Sequence, residues 1–126
     1  MTAGVAPAAL EREILDCFAA YETALVAGDA AATDAWFADD ERTVRIGIAE
    51  EQWSASEVRR WRRGAPAVPG GRHLSRTRVD VWTDDLAVVT TLFAYPSSRA
   101  VGRQSQTWHR TPAGWRIIHA HVSERA

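Results

Sequence analysis

The chain has 126 residues, and 15 basic residues against 16 acidic ones give it a formal net charge of −1. A chain of this length forms one domain with a sizeable core, so it needs neither disulfides nor a structural metal to fold. The charge balance argues against general nucleic-acid binding. All 15 basic residues are arginines, which excludes lysine chemistry such as a Schiff base.

A single cysteine, Cys17, cannot form an internal disulfide and belongs to no Cys-x-x-Cys pair. It lies in an apolar-periodic stretch, so we interpret it as a structural thiol. Residues 1–9 lack the charged lead and long apolar run of a signal peptide, and no 18-residue apolar segment is present. We therefore expect a soluble, cytoplasmic protein that does not enter a membrane.

Helical patterns dominate the first half of the chain. Residues 8–27 carry apolar side chains at three- and four-residue spacing and predict an amphipathic helix that ends at Gly28. Asp29 is placed to cap a short second helix that extends to about Trp36. Residues 42–48 predict a short strand, and Ser54 with Glu57 three residues later predicts a capped helix to about Arg63.

The second half of the chain alternates with the period of β-strands. Residues 74–82, 86–95, 100–110 and 115–123 predict four strands, separated by turns at Asp84-Asp85, Pro96-Ser97-Ser98 and 111–114. Helices followed by a hairpin-linked sheet indicate an α+β domain in which the helices cover one face of the sheet. We expect residues 1–126 to form one domain, with its core within residues 10–123.

Several segments carry a resemblance to a known family. Residues 21–29, the run WFADD at 36–40 and the run GWRIIHAHVS at 114–123 resemble the SnoaL-like superfamily, whose type member is nuclear transport factor two. The runs RTVRIG at 42–47 and VGRQSQTW at 101–108 are similar to its AtzH-like branch, which includes a dicarboxyurea hydrolase and an oxalurate-catabolism protein. The resemblance implies a cone-shaped, curved mixed sheet wrapped around the N-terminal helices, with a pocket inside.

Tyr21 lies on the apolar stripe of the first helix. From the pattern alone it is a core tyrosine whose hydroxyl bonds to the backbone. A buried phenol can instead serve as a hydrogen-bond donor or a proton shuttle once a nearby cation lowers its pKa. The AtzH-like resemblance implies a catalytic role at this position.

Arg45 lies in the predicted strand between Val44 and Ile46, and the alternation alone allows it to point to solvent. Isomerase members of the superfamily have a carboxylate base at the equivalent position. A guanidinium cannot act as a base near neutral pH, but it binds a carboxylate through two parallel hydrogen bonds. The resemblance therefore implies a catalytic role for Arg45 toward an anionic, carboxylated substrate.

Further candidates for substrate binding come from the last two strands. Gln104, Gln106 and Trp108 share one face of a strand, which lines the pocket or meets a partner across a dimer interface. His121 is a pocket candidate near the carboxyl end. His119 and His121 have only two-ligand spacing, so we expect no metal site.

Two further groups of charged residues, the aspartates at 39–40 and the arginines at 59–63, are interpreted as surface features. We expect Asp39 and Asp40 to be solvated capping residues rather than paired acids. We expect the arginines at 59, 60, 62 and 63 to form a basic helix surface, and the alternative is that they steer an acidic substrate toward the pocket.

The combined interpretation is a cofactor-free hydrolase that cleaves a C–N bond in a small carboxylated urea or ureido acid. The alternative is a non-catalytic ligand-binding or accessory subunit that partners an amidase in ureide catabolism. A polyketide-type cyclase or an isomerase ranks below both, because Arg45 occupies the position of the base. The resemblance also implies a homodimer formed through the outer face of the sheet.

Overall fold

The computed structural model describes residues 7–126, so residues 1–6, which belong to the stretch without a signal-peptide pattern, lie outside it. Three helices precede the long strands: α1 (Pro7–Val26), α2 (Ala30–Asp34) and α3 (Ala55–Gly64). Two short strands, β1 (Val44–Ile46) and β2 (Glu51–Gln52), lie between α2 and α3. The four long strands are β3 (His73–Thr83), β4 (Leu86–Ala94), β5 (Val101–Thr111) and β6 (Gly114–Arg125).

The six strands form one mixed sheet in the order β2-β1-β6-β5-β4-β3. Strands β3 to β6 are joined as antiparallel neighbours, and β1 adds to β6 in parallel, with Arg45 opposite Ala120. Irregularities between Ser75 and Arg78 and between Thr107 and Trp108 interrupt the ladders, and such bulges bend a sheet. The predicted α+β architecture, a curved mixed sheet around N-terminal helices, is confirmed.

The predicted helix caps are present. The side chain of Asp29 accepts a hydrogen bond from the amide of Ala32 at the start of α2, and the hydroxyl of Ser54 accepts one from the amide of Glu57 at the start of α3. Helix α2 ends earlier than expected, and β2 was not predicted. The turn at Gly47, whose amide donates to the carbonyl of Glu50 at 2.7 Å, cuts the predicted strand short and turns the chain back into β2.

The core lies between α1 and the inner face of the sheet. Leu10, Ile14 and Phe18 of α1 are buried against Trp108 and Ile117 of the sheet. A cavity lies beside Tyr21, near the carboxyl end of α1.

Candidate functional site

A cavity of about 490 Å³ opens between α1, α3, the proline-rich segment 65–69 and the inner face of the sheet. Its size is within the range of pockets that hold small molecules. Hydrophobic walls come from residues such as Leu25, Trp61 and Phe93. The charged and aromatic-hydroxyl or amide residues that line it are Tyr21, Arg45, Glu50, Arg62, Arg72, Tyr95, Gln104 and Glu124, and the smaller hydroxyl residues are Thr33, Ser97 and Ser98.

Arg45 faces this cavity, so the alternative in which it points to solvent is wrong. Its side chain is 12% exposed. Its Nη1 donates to Oε1 of Glu50 at 2.5 Å and to Oε1 of Gln52 at 3.1 Å. The guanidinium carbon lies 3.9 Å from the centroid of the Trp61 ring, which supports the cation from one side. No described residue accepts from Nε or Nη2, so the edge that binds carboxylates in a bidentate way is free.

Tyr21 lies on the α1 wall of the cavity and is 5% exposed. Its ring packs against Phe18 and Phe37, with centroids 6.4 Å and 6.2 Å away. Its hydroxyl makes no hydrogen bond to any of residues 7–126, which contradicts the expected backbone partner. Burial raises the pKa of the phenol, and the nearby charge of Arg62 offsets only part of that effect. The expected lowering of the pKa is therefore wrong, and the Tyr21 hydroxyl keeps its proton near neutral pH and has no partner among the described residues.

Arg72 was not identified from the sequence, although this guanidinium lies deeper than any other among the described ion pairs, at 3% exposed. Its Nε and Nη2 donate to the two carboxylate oxygens of Glu22 at 2.8 and 3.1 Å. Nη1 donates to the Tyr95 hydroxyl at 2.7 Å, and the Phe93 ring lies 4.4 Å away. The only sequence signal was its position after Gly70-Gly71, where a loop turns into β3.

Gln104 lies on β5 and lines the cavity, as predicted for a pocket residue. Its Oε1 accepts from Nη2 of Arg72 at 3.2 Å. Because a guanidinium can only donate, this bond fixes which end of the amide faces Arg72. The amide nitrogen Nε2 is buried with no acceptor among the described residues. Gln104 is thus oriented as a hydrogen-bond donor.

Arg62 also belongs to the cavity, so the expectation that the whole 59–63 cluster is a surface feature is wrong. Its side chain is 10% exposed, and its Nε donates to Oδ1 of Asp34 at 2.8 Å. Helical geometry explains the difference: α3 turns Trp61 and Arg62 inward, while Arg59, Arg60 and Arg63 stay exposed.

Three of the predicted substrate-binding residues do not reach the cavity, and we correct their assignment. Gln106 and Trp108 do share the inner face with Gln104, but they lie in the core, where the Trp108 indole N–H donates to Oε1 of Gln106 at 3.1 Å. His121 is exposed on the opposite face of the sheet, where it pairs with Ser105. The alternation correctly predicted that Gln104, Gln106 and Trp108 share one face of β5. It could not predict which of the three line the cavity and which lie in the core, because that depends on the elements packed against the strand.

Other features of the described chain lie outside this cavity. A wider groove of about 1310 Å³ runs along the outer side of the molecule between the segment 37–43 and the β5–β6 hairpin. Within residues 7–126 no three His, Cys, Asp or Glu side chains group as a metal site, and none of the helices is long and apolar enough to cross a bilayer. Cys17 is half-buried, and burial followed by the charge of Glu13 raises the pKa of its thiol.

The family profile named AtzH-like matches residues 4–126, almost the entire chain. The chain belongs to the AtzH-like family. This confirms the resemblance carried by the runs at 42–47 and 101–108. None of the curated proteins matches the chain.

Solved structures place this AtzH-like chain among cystatin-like and NTF2-like folds. It is 43% identical to a cystatin-like fold protein from Burkholderia xenovorans LB400, with a TM-score of 0.86 over 90% of this chain and 89% of that one. It is 37% identical to a protein of unknown function of the DUF3225 family from Pectobacterium atrosepticum SCRI1043, with a TM-score of 0.90 over 98% and 100% of the two chains. An NTF2-like protein of unknown function from Pseudomonas putida KT2440 shares the fold at 22% identity, with a TM-score of 0.77 over 95% and 89%.

Proposed function

We propose that the cavity binds a small carboxylated urea or ureido acid, of the kind of dicarboxyurea or oxalurate, and hydrolyses one of its C–N bonds. The observation that carries this proposal is that Arg45 lines the cavity beside Tyr21 and that its Nε and Nη2 have no acceptor among the described residues. A guanidinium edge matches the two oxygens of a carboxylate in geometry and charge.

The side chains support a hydrolytic sequence. Arg45 binds the carboxylate, and the Gln104 side chain shifts so that Nε2, which is enclosed in the free protein, donates a hydrogen bond to the carbonyl oxygen that is to be attacked. Water adds to the carbonyl carbon, the C–N bond breaks, and the departing nitrogen takes the phenolic proton of Tyr21. The phenolate then recovers a proton derived from the attacking water, so no cofactor is consumed.

The same residues disfavour proton abstraction of the isomerase type. Arg45 is a permanently charged donor and cannot serve as a base. Tyr21, whose pKa is raised by burial, is a poor base at neutral pH as well.

Turnover of oxalurate and dicarboxyurea by the purified protein tests the proposal, with products followed as ammonia and by carbon NMR. Arg45→Ala and Tyr21→Phe should each lower kcat/KM by at least about 100-fold, the scale of one lost transition-state contact. Arg103→Ala is the matched control, because Arg103 is an exposed arginine on β5 and should keep full activity. Full activity of Arg45→Ala would contradict the assignment.

A second candidate function is a ligand-binding or accessory subunit beside an amidase. The observation that favours it is the pairing of Glu22 with Arg72 and of Glu50 with Arg45, which leaves few free carboxylates near the cavity to activate water. In that case the compounds should raise the melting temperature without being turned over. Gel filtration with and without the amidase then tests the partnership.

The proposal extends to assembly and location. We propose a homodimer that buries the outer face of β5 and β6, next to the 1310 Å³ groove, in the cytoplasm. Light scattering should give twice the mass of one chain, and a monomer at micromolar concentration would contradict this part.

A further inference from the structure

Arg62 is a buried cation with an incomplete set of partners. Asp34 takes only the Nε–H, at 2.8 Å. Nη2 is enclosed by protein and has no acceptor among the described residues, and none of them accepts from Nη1 either. A buried charged donor without an acceptor is costly, so native proteins rarely retain one without a use.

Arg62 lines the cavity together with Tyr21, and its charge acts on the Tyr21 phenol. The guanidinium carbon lies 5.9 Å from the Phe37 ring, and the same ring packs edge-on against Tyr21. The Trp61 ring lies 5.0 Å away on another side, and Trp61 also supports Arg45. Aromatic walls exclude water and strengthen any charge interaction made there.

Two guanidiniums therefore serve the cavity in different ways. Arg45 offers its Nε–Nη2 edge, while the Nε edge of Arg62 is fixed by Asp34, which directs the Nη1–Nη2 end away from that partner. Arg72 is not equivalent, because Glu22, Tyr95 and Gln104 together occupy all three of its nitrogens.

We infer that Arg62 is a further catalytic residue, whose Nη1 binds the oxygen that becomes negative when water adds to the substrate carbonyl, while Nη2 stays enclosed by protein. Asp34 is the positioning residue that holds it. This inference rests on the proposed function, and it assigns the charge stabilisation of the transition state to Arg62 in addition to the neutral amide of Gln104. Fixed cations aimed at a developing oxyanion are among the largest contributions to such reactions.

The activity test compares neighbouring arginines of α3. Arg62→Gln should lower kcat about 100-fold and change KM little, because the contact forms only in the transition state. Arg63→Gln, which alters an exposed arginine one residue later, should keep both constants. Because Arg62→Gln leaves Asp34 without its cation, the double variant Asp34→Asn/Arg62→Gln serves as a second, charge-balanced test and should show the same loss of kcat.

A binding test probes the same contact without turnover. Phosphonoacetate combines a carboxylate for Arg45 with a tetrahedral anionic group that mimics the hydrated carbonyl. Calorimetry should show that Arg62→Gln weakens its binding at least about tenfold, the scale of one charge-assisted hydrogen bond, while Arg63→Gln does not.

The outcomes separate the inference from the proposed function. If phosphonoacetate binding depends on Arg62 but no urea is hydrolysed, the oxyanion site stands and the hydrolytic function is wrong. If ureas are hydrolysed but Arg62→Gln keeps kcat, the inference is wrong. The inference is also wrong if phosphonoacetate does not bind the intact protein, or if Arg62→Gln binds it as tightly as the intact protein does.

Discussion

At the residue scale, burial decides which form of each titratable group is available. The Tyr21 phenol lies among Phe18, Phe37 and a neighbouring glutamate, and its hydroxyl is free to bond to a bound molecule. Arg45 uses only one of its three nitrogens on the described protein partners. The site therefore offers donors, and the molecule it binds must supply acceptors.

Alkaline titration tests the state of Tyr21. Absorbance at high pH should show that the Tyr21 phenol ionises above the ordinary pKa of 10.0. Tyr21→Phe should remove that late step. Since the folded pKa is raised, the stabilisation should be complete below pH 10 and fall as the pH rises through the folded pKa. A late step that persists in Tyr21→Phe would contradict this.

The exposed ion pair between Asp40 and Arg42 predicts how the stability of the protein changes in acid. The side chain and backbone amide of Arg42 bond to Asp40 and lower the pKa of its carboxyl from 3.8 to about 2. Because the folded pKa is depressed, the stabilisation is present above about pH 4 and is lost as the pH falls toward 2. Carboxyl NMR titration should show the Asp40 pKa rising toward 3.8 in Arg42→Ala, and no rise in Arg59→Ala, whose arginine pairs with Asp39.

At the level of the elements, the close approach of β4 and β5 shapes the floor of the cavity. Gly102 lies opposite Phe93, and a Cβ at position 102 would come within 2.1 Å of the Phe93 ring. That ring in turn supports the guanidinium of Arg72. The absence of a side chain at Gly102 therefore lets the Phe93 ring of β4 lie across β5.

Gly102→Ala should accordingly destabilise the protein by about 1–3 kcal/mol, because Phe93 must move and the packing around Arg72 is disturbed. Gly64→Ala is the matched control: nothing lies within 4 Å of the added methyl group at the end of α3. Denaturant unfolding measures both. Equal stability of the two variants would show that Phe93 has room to move.

The elements also explain how much of the structure could be predicted from the sequence. Periodicity and capping residues identified α1, α3 and the four long strands, because these signals are local. They did not identify β2, since two residues carry no period, nor the inward turn of Arg62 within an arginine-rich helix. Arg72 was missed for a related reason: its partner Glu22 lies 50 residues away, and only the folded chain brings them together.

Across the molecule as a whole, the helices and the sheet have different roles. The sheet and α1 build the core, while the uncovered end of the cone collects three arginines from three separate segments of the chain. Each of the three has one protein carboxylate partner, which balances charge locally in a chain whose net charge is only −1. Of these three, Arg45 and Arg62 retain donors for a ligand.

The binding of a ureido acid's carboxylate by Arg45 is tested most directly by calorimetric titration with N-carbamoylglycine. We predict binding by the intact protein and by Arg103→Ala, and a loss of at least about tenfold in affinity for Arg45→Ala, as expected for a bidentate charged contact. Unchanged affinity in Arg45→Ala would contradict this role of Arg45.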